Sequence, residues 1–383
     1  MTTLVLLVFL AVYLGMAIGR WPGLRVDRTG IALLGAILLY ACDAVDGPAV
    51  LAAIDVPTII VLFGLMILSA QFAVCGFYDW CSARIARAAS PAALLAVTVV
   101  TAGLLSAVLA NDVVVFAMTP MLCAGLIQRG LDPRPFLIGL AGGANAGSAA
   151  TIIGNPQNIL IGEVGRLDFW KFLAACGPPA LVGLACVYLV IWWQWRARFP
   201  AGPDRSDHVA PPALDRLGLA KALFATGLLL TLFATGLAHV TGVLLVAGYL
   251  LISRRLATRT MLGLVDWHLL VLFCGLFVVT HALATTGLPD RAVLWLEAER
   301  LHPERLLMMT PLTVVGANTI GNVPLVVLLL SVLPRLGEGA LYALAVLSTL
   351  AGNLLVIGSL ANIITVKRAC ASPSWSTRNA ACR

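Results

Sequence analysis

Apolar residues fill this chain in long runs separated by short polar breaks. The runs lie near 3–19, 29–42, 56–76, 91–110, 113–128, 135–153, 157–164 and 172–194. A hydrophilic stretch, RARFPAGPDRSDHVAPPALDR at 196–216, interrupts them. They resume at 218–238, 241–252, 266–286, 306–320, 323–334, 339–357 and 359–366, and a polar tail follows. A helix needs about 17–25 predominantly apolar residues to cross the hydrocarbon of a bilayer. The pattern predicts an all-α polytopic membrane protein. A β-barrel would alternate polar and apolar positions over about ten residues, and no segment does so. Residues 3–19 lack a basic leader and Arg20 follows them directly, which predicts a retained first helix, not a cleaved signal.

The hydrophilic stretch divides two halves that repeat each other. IDVPTIIVLFGLMILSAQFAVCGFYD at 54–79 aligns with VDWHLLVLFCGLFVVTHALATTGLPD at 265–290. Asp55 meets Asp266, Gly64 meets Gly275, Gly76 meets Gly287 and Asp79 meets Asp290, each 211 positions on (55 to 266). The same interval carries Asn111 of LANDVVVF onto Asn322 of IGNVPLVV. A slightly shorter one carries Gly154 and Asn158 of GNPQN onto Gly358 and Asn362 of GSLAN. The predicted halves are 1–195 and 218–368, joined by a linker at 196–217 and followed by a tail at 369–383. Each half has a hairpin (about 91–128 and 306–334) and a broken helix (about 135–164 and 339–366).

Each half also carries two polar interruptions inside apolar sequence. Unpaired backbone groups are not tolerated in lipid, so irregular backbone at membrane depth must be buried in protein or line a wet cavity. Gly154 relaxes the backbone and Pro156 removes a donor, which predicts an unwound break between two half-helices. Such a break frees carbonyls for a cation and a helix N-terminus for an anion. Asn155, Gln157 and Asn158 add side-chain donors and acceptors. Asp112, at the expected tip of the first hairpin, can ligand Na⁺, carry a proton or hydrogen-bond the hairpin. Asn145 and Ser148, taken singly, fit packing roles as readily as binding. Asp55, Asp79, Asp266 and Asp290 fall at helix ends and suit caps, while His239 and His281 are lone and suit structural roles.

Composition and charge narrow the class. Of 383 residues, 60% are hydrophobic and 11% charged, against roughly half and a quarter in a soluble domain. The net charge of +7 is carried largely by short loops, the placement that sets membrane orientation and not a nucleic-acid signal. Arg20, Arg25, Arg28, Arg84, Arg87, the arginines of 196–216, and Arg254, Arg255 and Arg259 share one side if 91–128 enters and leaves on the cytoplasmic face. The N-terminus is then outside, the C-terminus cytoplasmic, and the second half inverted. Inverted repeats with broken helices are typical of secondary transporters. Nine scattered cysteines form no CxxC or CxxH pair. No GxxxxGK[ST] loop, HExxH or GxSxG occurs, so neither ATP-driven transport nor an enzyme is indicated.

LANDVVVFAMTP, NAGSAATIIGNPQN, GNVPLVVLLL and LAGNLLVIGSLANIITV together resemble the ion transporter superfamily. That group spans arsenite permeases, divalent-anion/Na⁺ symporters, citrate–metal transporters and a sodium/proton antiporter branch. The resemblance covers about 1–368 and is nearest the anion-permease branch beside the arsenite permeases. It implies a multi-pass inner-membrane carrier, commonly dimeric, with a scaffold and a mobile transport domain. It also implies a site made by both hairpin tips and both broken helices. Matched residue by residue, Asn111, Asp112, Thr151, Gly154, Asn155, Pro156 and Asn158 form one half-site. Asn318, Thr319, Asn322, Gly352, Asn353, Gly358, Ser359 and Asn362 form the other. Na⁺ ligands would come from Asn111, Asp112, Asn155, Asn322 and Asn353. The implied partners are a small inorganic or organic anion, Na⁺ or H⁺ as coupling ion, and the bilayer; no other cofactor and no nucleic acid is expected.

Two features depart from the family pattern. The divalent-anion symporters carry Ser-Asn-Thr at both tips, whereas the tips here read Ala110-Asn111-Asp112 and Ala317-Asn318-Thr319, which argues against a dicarboxylate. The first half also continues past GNPQN into another full helix, with no counterpart past GSLAN. The expectations are therefore an anion transporter coupled to Na⁺ or H⁺, a Na⁺/H⁺ antiporter, or a non-transporting membrane protein lacking its last helix. No buried Arg or Lys marks an anion clamp.

Overall fold

The computed structural model describes residues 1–354 apart from 20, 22, 89, 200–212, 236, 254, 255, 300, 334 and 335. Every regular element among these residues is helical. The first half runs α1 Thr2–Ile18, α2 Arg28–Ala41, α3 Gly47–Ala53, α4 Val56–Val74, α5 Phe77–Ile85, α6 Pro91–Val108, α7 Asn111–Gln128, α8 Arg134–Ser148, α9 Pro156–Val164 and α10 Phe169–Trp195. The second runs α11 Arg216–Ala234, α12 His239–Leu251, α13 Thr258–Leu262, α14 Trp267–Ala284, α15 Leu288–Ala298, α16 Leu306–Thr319, α17 Asn322–Val332 and α18 Glu338–Ala351. Gly358, Ser359, Asn362, the end of the second broken helix and the tail lie outside the described residues, as do Arg20, Arg205, Arg254 and Arg255.

The helices start where short polar side chains can accept an otherwise unpaired N–H. Asp27, Asp46, Asp55, Ser90, Asp168 and Asp266 each cap the amide three residues on. Asp55 and Asp266 do so at matched places, and Asp79 and Asp290 sit in the first turns of α5 and α15, where a negative charge suits the helix dipole.

The glycine pairs have a physical reason too. Gly76 (φ 76°) and Gly287 (φ 68°) both hold the left-handed turn leading into α5 and α15. Gly64 and Gly275 are points of close approach. A Cβ on Gly275 would lie 2.8 Å from the Ala32 backbone carbon, and one on Gly64 would strike the Val243 side chain. They let α2 lie against α14 and α12 against α4. Packing elsewhere is matched as well: α1 meets α14 as α11 meets α4, α6 meets α8 as α16 meets α18, and α5 meets α7 as α15 meets α17. The halves therefore embrace, each lending its second helix to the other's fourth.

Among the described residues, six helices are long and apolar enough to cross a membrane: α4, α6, α7, α10 with its 3₁₀ extension to Arg198, α11 and α14. Of the apolar windows, 67% is buried in α4 and 61% in α14, against 17% in α10 and 22% in α11. The first two form the centre, and the last two turn most of their surface outward. Four short helices, α3, α5, α13 and α15, do not show in the apolar runs, because 5–11 residues leave no spanning signature. The linker region also starts later than its composition suggests, with the 3₁₀ turn Arg196–Arg198 continuing α10.

Candidate functional site

Two helical hairpins reach the middle of the molecule. In the first, α6 and α7 are joined by Leu109 and Ala110; in the second, α16 and α17 are joined by Ile320 and Gly321. An asparagine opens the returning helix in both, Asn111 and Asn322. α6 and α7 have 18 residues each, about 27 Å, long enough to span. Their tip nevertheless stops at the level of the break between α8 and α9, where the Asn111 amide donates to the Gly154 carbonyl at 3.1 Å.

The unwound stretch is 149–155, upstream of Pro156. Pro156 does not interrupt a helix, as the sequence suggested. It is the first residue of α9, where its missing N–H costs nothing. The break comes instead from the close crossing of the chain on itself. A Cβ on Gly154 would lie 2.7 Å from the Ser148 Cα, so only glycine fits.

The amides of GNPQN close this break. The Asn155 side-chain oxygen caps α9 by accepting from the Asn158 amide at 2.9 Å. Its NH₂ group donates to the Ser148 carbonyl at 3.2 Å, the Ser148 hydroxyl at 3.0 Å and Thr349 Oγ1 at 3.2 Å. Asn158 donates to the carbonyls of Ser148 (3.1 Å) and Thr151 (3.0 Å). Gln157 reaches Thr349 Oγ1 at 3.2 Å, and the Thr151 hydroxyl donates to the Ala107 carbonyl at 2.5 Å. All of these residues are buried. Buried polar groups are costly unless paired, and here the side chains and the exposed backbone of the break pair each other.

A second chain of amides ties the halves together. Asn111 donates to Asn145 Oδ1 (3.2 Å), Asn145 to Asn353 Oδ1 (2.9 Å), and Asn353 to the Gly142 carbonyl (3.2 Å). Asn318 donates to the Ala351 carbonyl at 3.0 Å, two residues before Asn353, while its Oδ1 is buried with no partner among the described residues. Gly352, between them, is buried. The structure thus brings Asn111, Thr151, Gly154, Asn155, Pro156, Asn158, Asn318, Gly352 and Asn353 into one polar core. Asn145, Ser148 and Thr349 belong to it although single polar residues carry little signal. Asn322 opens α17 at its edge, half-buried.

Two expected members stand apart. Thr319 is exposed and spends its hydroxyl on the carbonyls of Val315 and Gly316, its own helix. The Asp112 carboxylate takes no hydrogen bond among the described residues; its backbone N–H donates to Asn111 Oδ1 at 2.9 Å. His239 is not lone: its Nδ1 lies 2.9 Å from Glu163 Oε1, joining α12 to the end of α9.

The cation that the apolar runs did not reveal is Arg28. Its Nε donates to the Met16 carbonyl at 3.2 Å. A Cβ on Gly321 would lie 3.9 Å from its Nη1, which puts the guanidinium beside the second hairpin tip. The neighbouring Thr29 hydroxyl donates to the His268 carbonyl at 3.2 Å, so the starts of α2 and α14 lie together. Arg28 sits at one of these starts and Asp266 at the other. The second hairpin meets this edge of the core through Gly321.

This arrangement has relatives. The family model for the citrate transporter (CitMHS) matches residues 5–352. The chain belongs to the citrate transporter family. It is 32% identical over 323 residues to the inner membrane protein YbiR of Escherichia coli K12, covering 83% of this chain and 81% of that one. It is 26% identical over 429 residues to the silicon efflux transporter LSI3 of Oryza sativa subsp. japonica, covering 94% and 88%. The crystal structure of the YdaH transporter of Alcanivorax borkumensis, described as having an unusual topology, superposes with a TM-score of 0.52 over 98% of this chain and 97% of that one, at 13% identity. That identity carries the fold alone. As a member of the citrate transporter family, the protein is a multi-pass membrane transporter, and the polar core is where both hairpins and the broken helix of this transporter converge.

Proposed function

We propose that this transporter carries a small anion across a bacterial-type inner membrane by alternating access, driven by Na⁺ or H⁺. The observation that carries the reading is the convergence of two hairpin tips and a helix break on one polar core with Arg28 and Asp112 at its edge. Arg28 and the uncapped start of α17 offer positive potential to an anion. Asp112 and the Asn318 oxygen, which has no partner among the described residues, offer acceptors to a cation. Asn111, Asn155, Asn322 and Asn353 serve this site as ligands or as the frame that holds it. The inverted sense of the second half, the N-terminus outside and the pairing of protomers into a dimer are parts of the same proposal, supported by the placement of arginines and the outward apolar faces of α10 and α11.

A second reading, Na⁺/H⁺ antiport, is favoured by one observation. Asp112, the acid at the first hairpin tip, takes no hydrogen bond on its carboxylate among the described residues, and such a group can bind a proton and Na⁺ in turn. Thermal stability of the purified protein distinguishes the two, because a ligand of the folded state must raise it. The test uses citrate and a panel of inorganic oxyanions, with and without Na⁺, at two pH values. An anion effect that requires Na⁺ or protons and disappears in Asp112→Ala supports coupled anion transport. Stabilisation by Na⁺ alone, competed by protons and blind to every anion, establishes the antiport reading instead.

A further inference from the structure

Away from the core, α8 begins and α10 ends beside a small open cleft of about 70 Å³. Leu131, Phe136 and Phe199 give it an apolar floor, with the two phenyl rings 5.9 Å apart. Trp195 forms a wall, and two guanidiniums stack on its ring, Arg134 at 5.1 Å and Arg198 at 5.4 Å from the centroid. Such stacking holds a guanidinium in place while leaving its N–H edge free.

Asp132 sits among these charges. It takes a forked pair of hydrogen bonds from Arg134, including 2.9 Å from Nε to Oδ2. Burial works to raise its carboxyl, but the hydrogen bonds and charge of Arg134, with the charge of Arg198, outweigh it and hold Asp132 below the usual carboxylate range. One positive charge of the cleft is thereby offset and the other is not. Arg196, in the same turn as Arg198 but outside the cleft, stacks on Trp192 at 5.4 Å.

The position matters as much as the charge. Trp192, Trp193, Trp195, Arg196 and Arg198 cluster at one end of the longest helix, the composition of a membrane–water interface. Leu181, Val182, Leu189 and Val190 are exposed along α10, giving the helix an outward apolar flank beyond its aromatic end. Basic pockets between membrane helices at headgroup depth bind anionic lipid heads.

We propose that the cleft between Arg134 and Arg198 binds the phosphate of an anionic phospholipid from the adjoining leaflet, with its acyl chains along α10. The inference rests on the chain lying in a bilayer and not on the identity of its transported ion. It also places a lipid against α8, the helix that carries Asn145 and Ser148 into the polar core.

The test is the full chain in mild detergent, with thermal unfolding followed as lipid is added. Phosphatidylglycerol is expected to stabilise it more than phosphatidylcholine does. Arg198→Gln, which leaves the Asp132–Arg134 pair intact, is expected to weaken the apparent phosphatidylglycerol affinity about fivefold, near the worth of one basic residue at an anionic surface. Arg25→Gln, a basic residue outside the cleft, is expected to leave it unchanged. Equal stabilisation by both lipids, or full retention of the effect in Arg198→Gln and in Arg134→Gln/Arg198→Gln together, overturns the proposal. So does inorganic phosphate matching phosphatidylglycerol in both effect and Arg198 dependence, which makes the cleft a free-anion site.

Discussion

The two hairpins share a plan and differ in what they do with it. The first tip is stitched to its own helix break: Asn111 bonds the Gly154 carbonyl through its backbone and Asn145 through its side chain. The second has shorter arms, 14 and 11 residues against 18 and 18. Its Asn318 keeps a buried oxygen unpaired, and its Gly321 lies beside Arg28. An acid stands at the first tip and a base beside the second. A repeated frame has thus been given two electrostatic characters, in keeping with the coupled anion transport proposed for it.

Four substitutions probe this contrast. The largest effect on stability is expected from Asn155→Ala, which removes the α9 cap and three donated bonds within the self-paired first break. A buried polar network broken on one side costs about 3 kcal/mol or more, read as a large loss of folded yield and a lower Tm. Arg28→Gln removes the charge beside the second tip. Losing a charge-assisted hydrogen bond costs about 1.5–3 kcal/mol, roughly 10- to 150-fold in anion affinity, with Tm in the absence of ligand almost unchanged; an unaltered affinity would detach Arg28 from the site. Asp112→Asn removes the acid at the first tip but little of its bonding. Transport is expected to lose its dependence on Na⁺ or pH by at least about tenfold, measured as gradient-driven uptake into proteoliposomes. Thr319→Val is the mildest. Its side chain is exposed and bonded only to its own helix, so stability is expected to move within about 0.5 kcal/mol and uptake not at all.

Much of the frame was legible in the residues. Long apolar runs become helices because lipid offers no partner to a backbone amide. Asp55 and Asp266 could be read as caps, and the Gly76 and Gly287 match as one turn used twice, since a cap and a left-handed turn are local requirements. The site was legible in part. GNPQN announces a break because amides and glycine in apolar sequence have few other uses. Not all that those amides bond could be read, because one partner, Thr349, lies some two hundred positions away. Arg28 looked like one more loop arginine, and His239 looked solitary until α9 brought Glu163 to it.

By itself, then, the chain determined its helices, its twofold repetition and the places where helices must stop, all matters of local backbone bonding and spacing. Only the tertiary structure decided which polar groups are spent on one another and which remain to meet a solute. That outcome depends on packing: a buried donor is free or committed according to the element pressed against it, which for Asn155 is both Ser148 of its own half and Thr349 of the other.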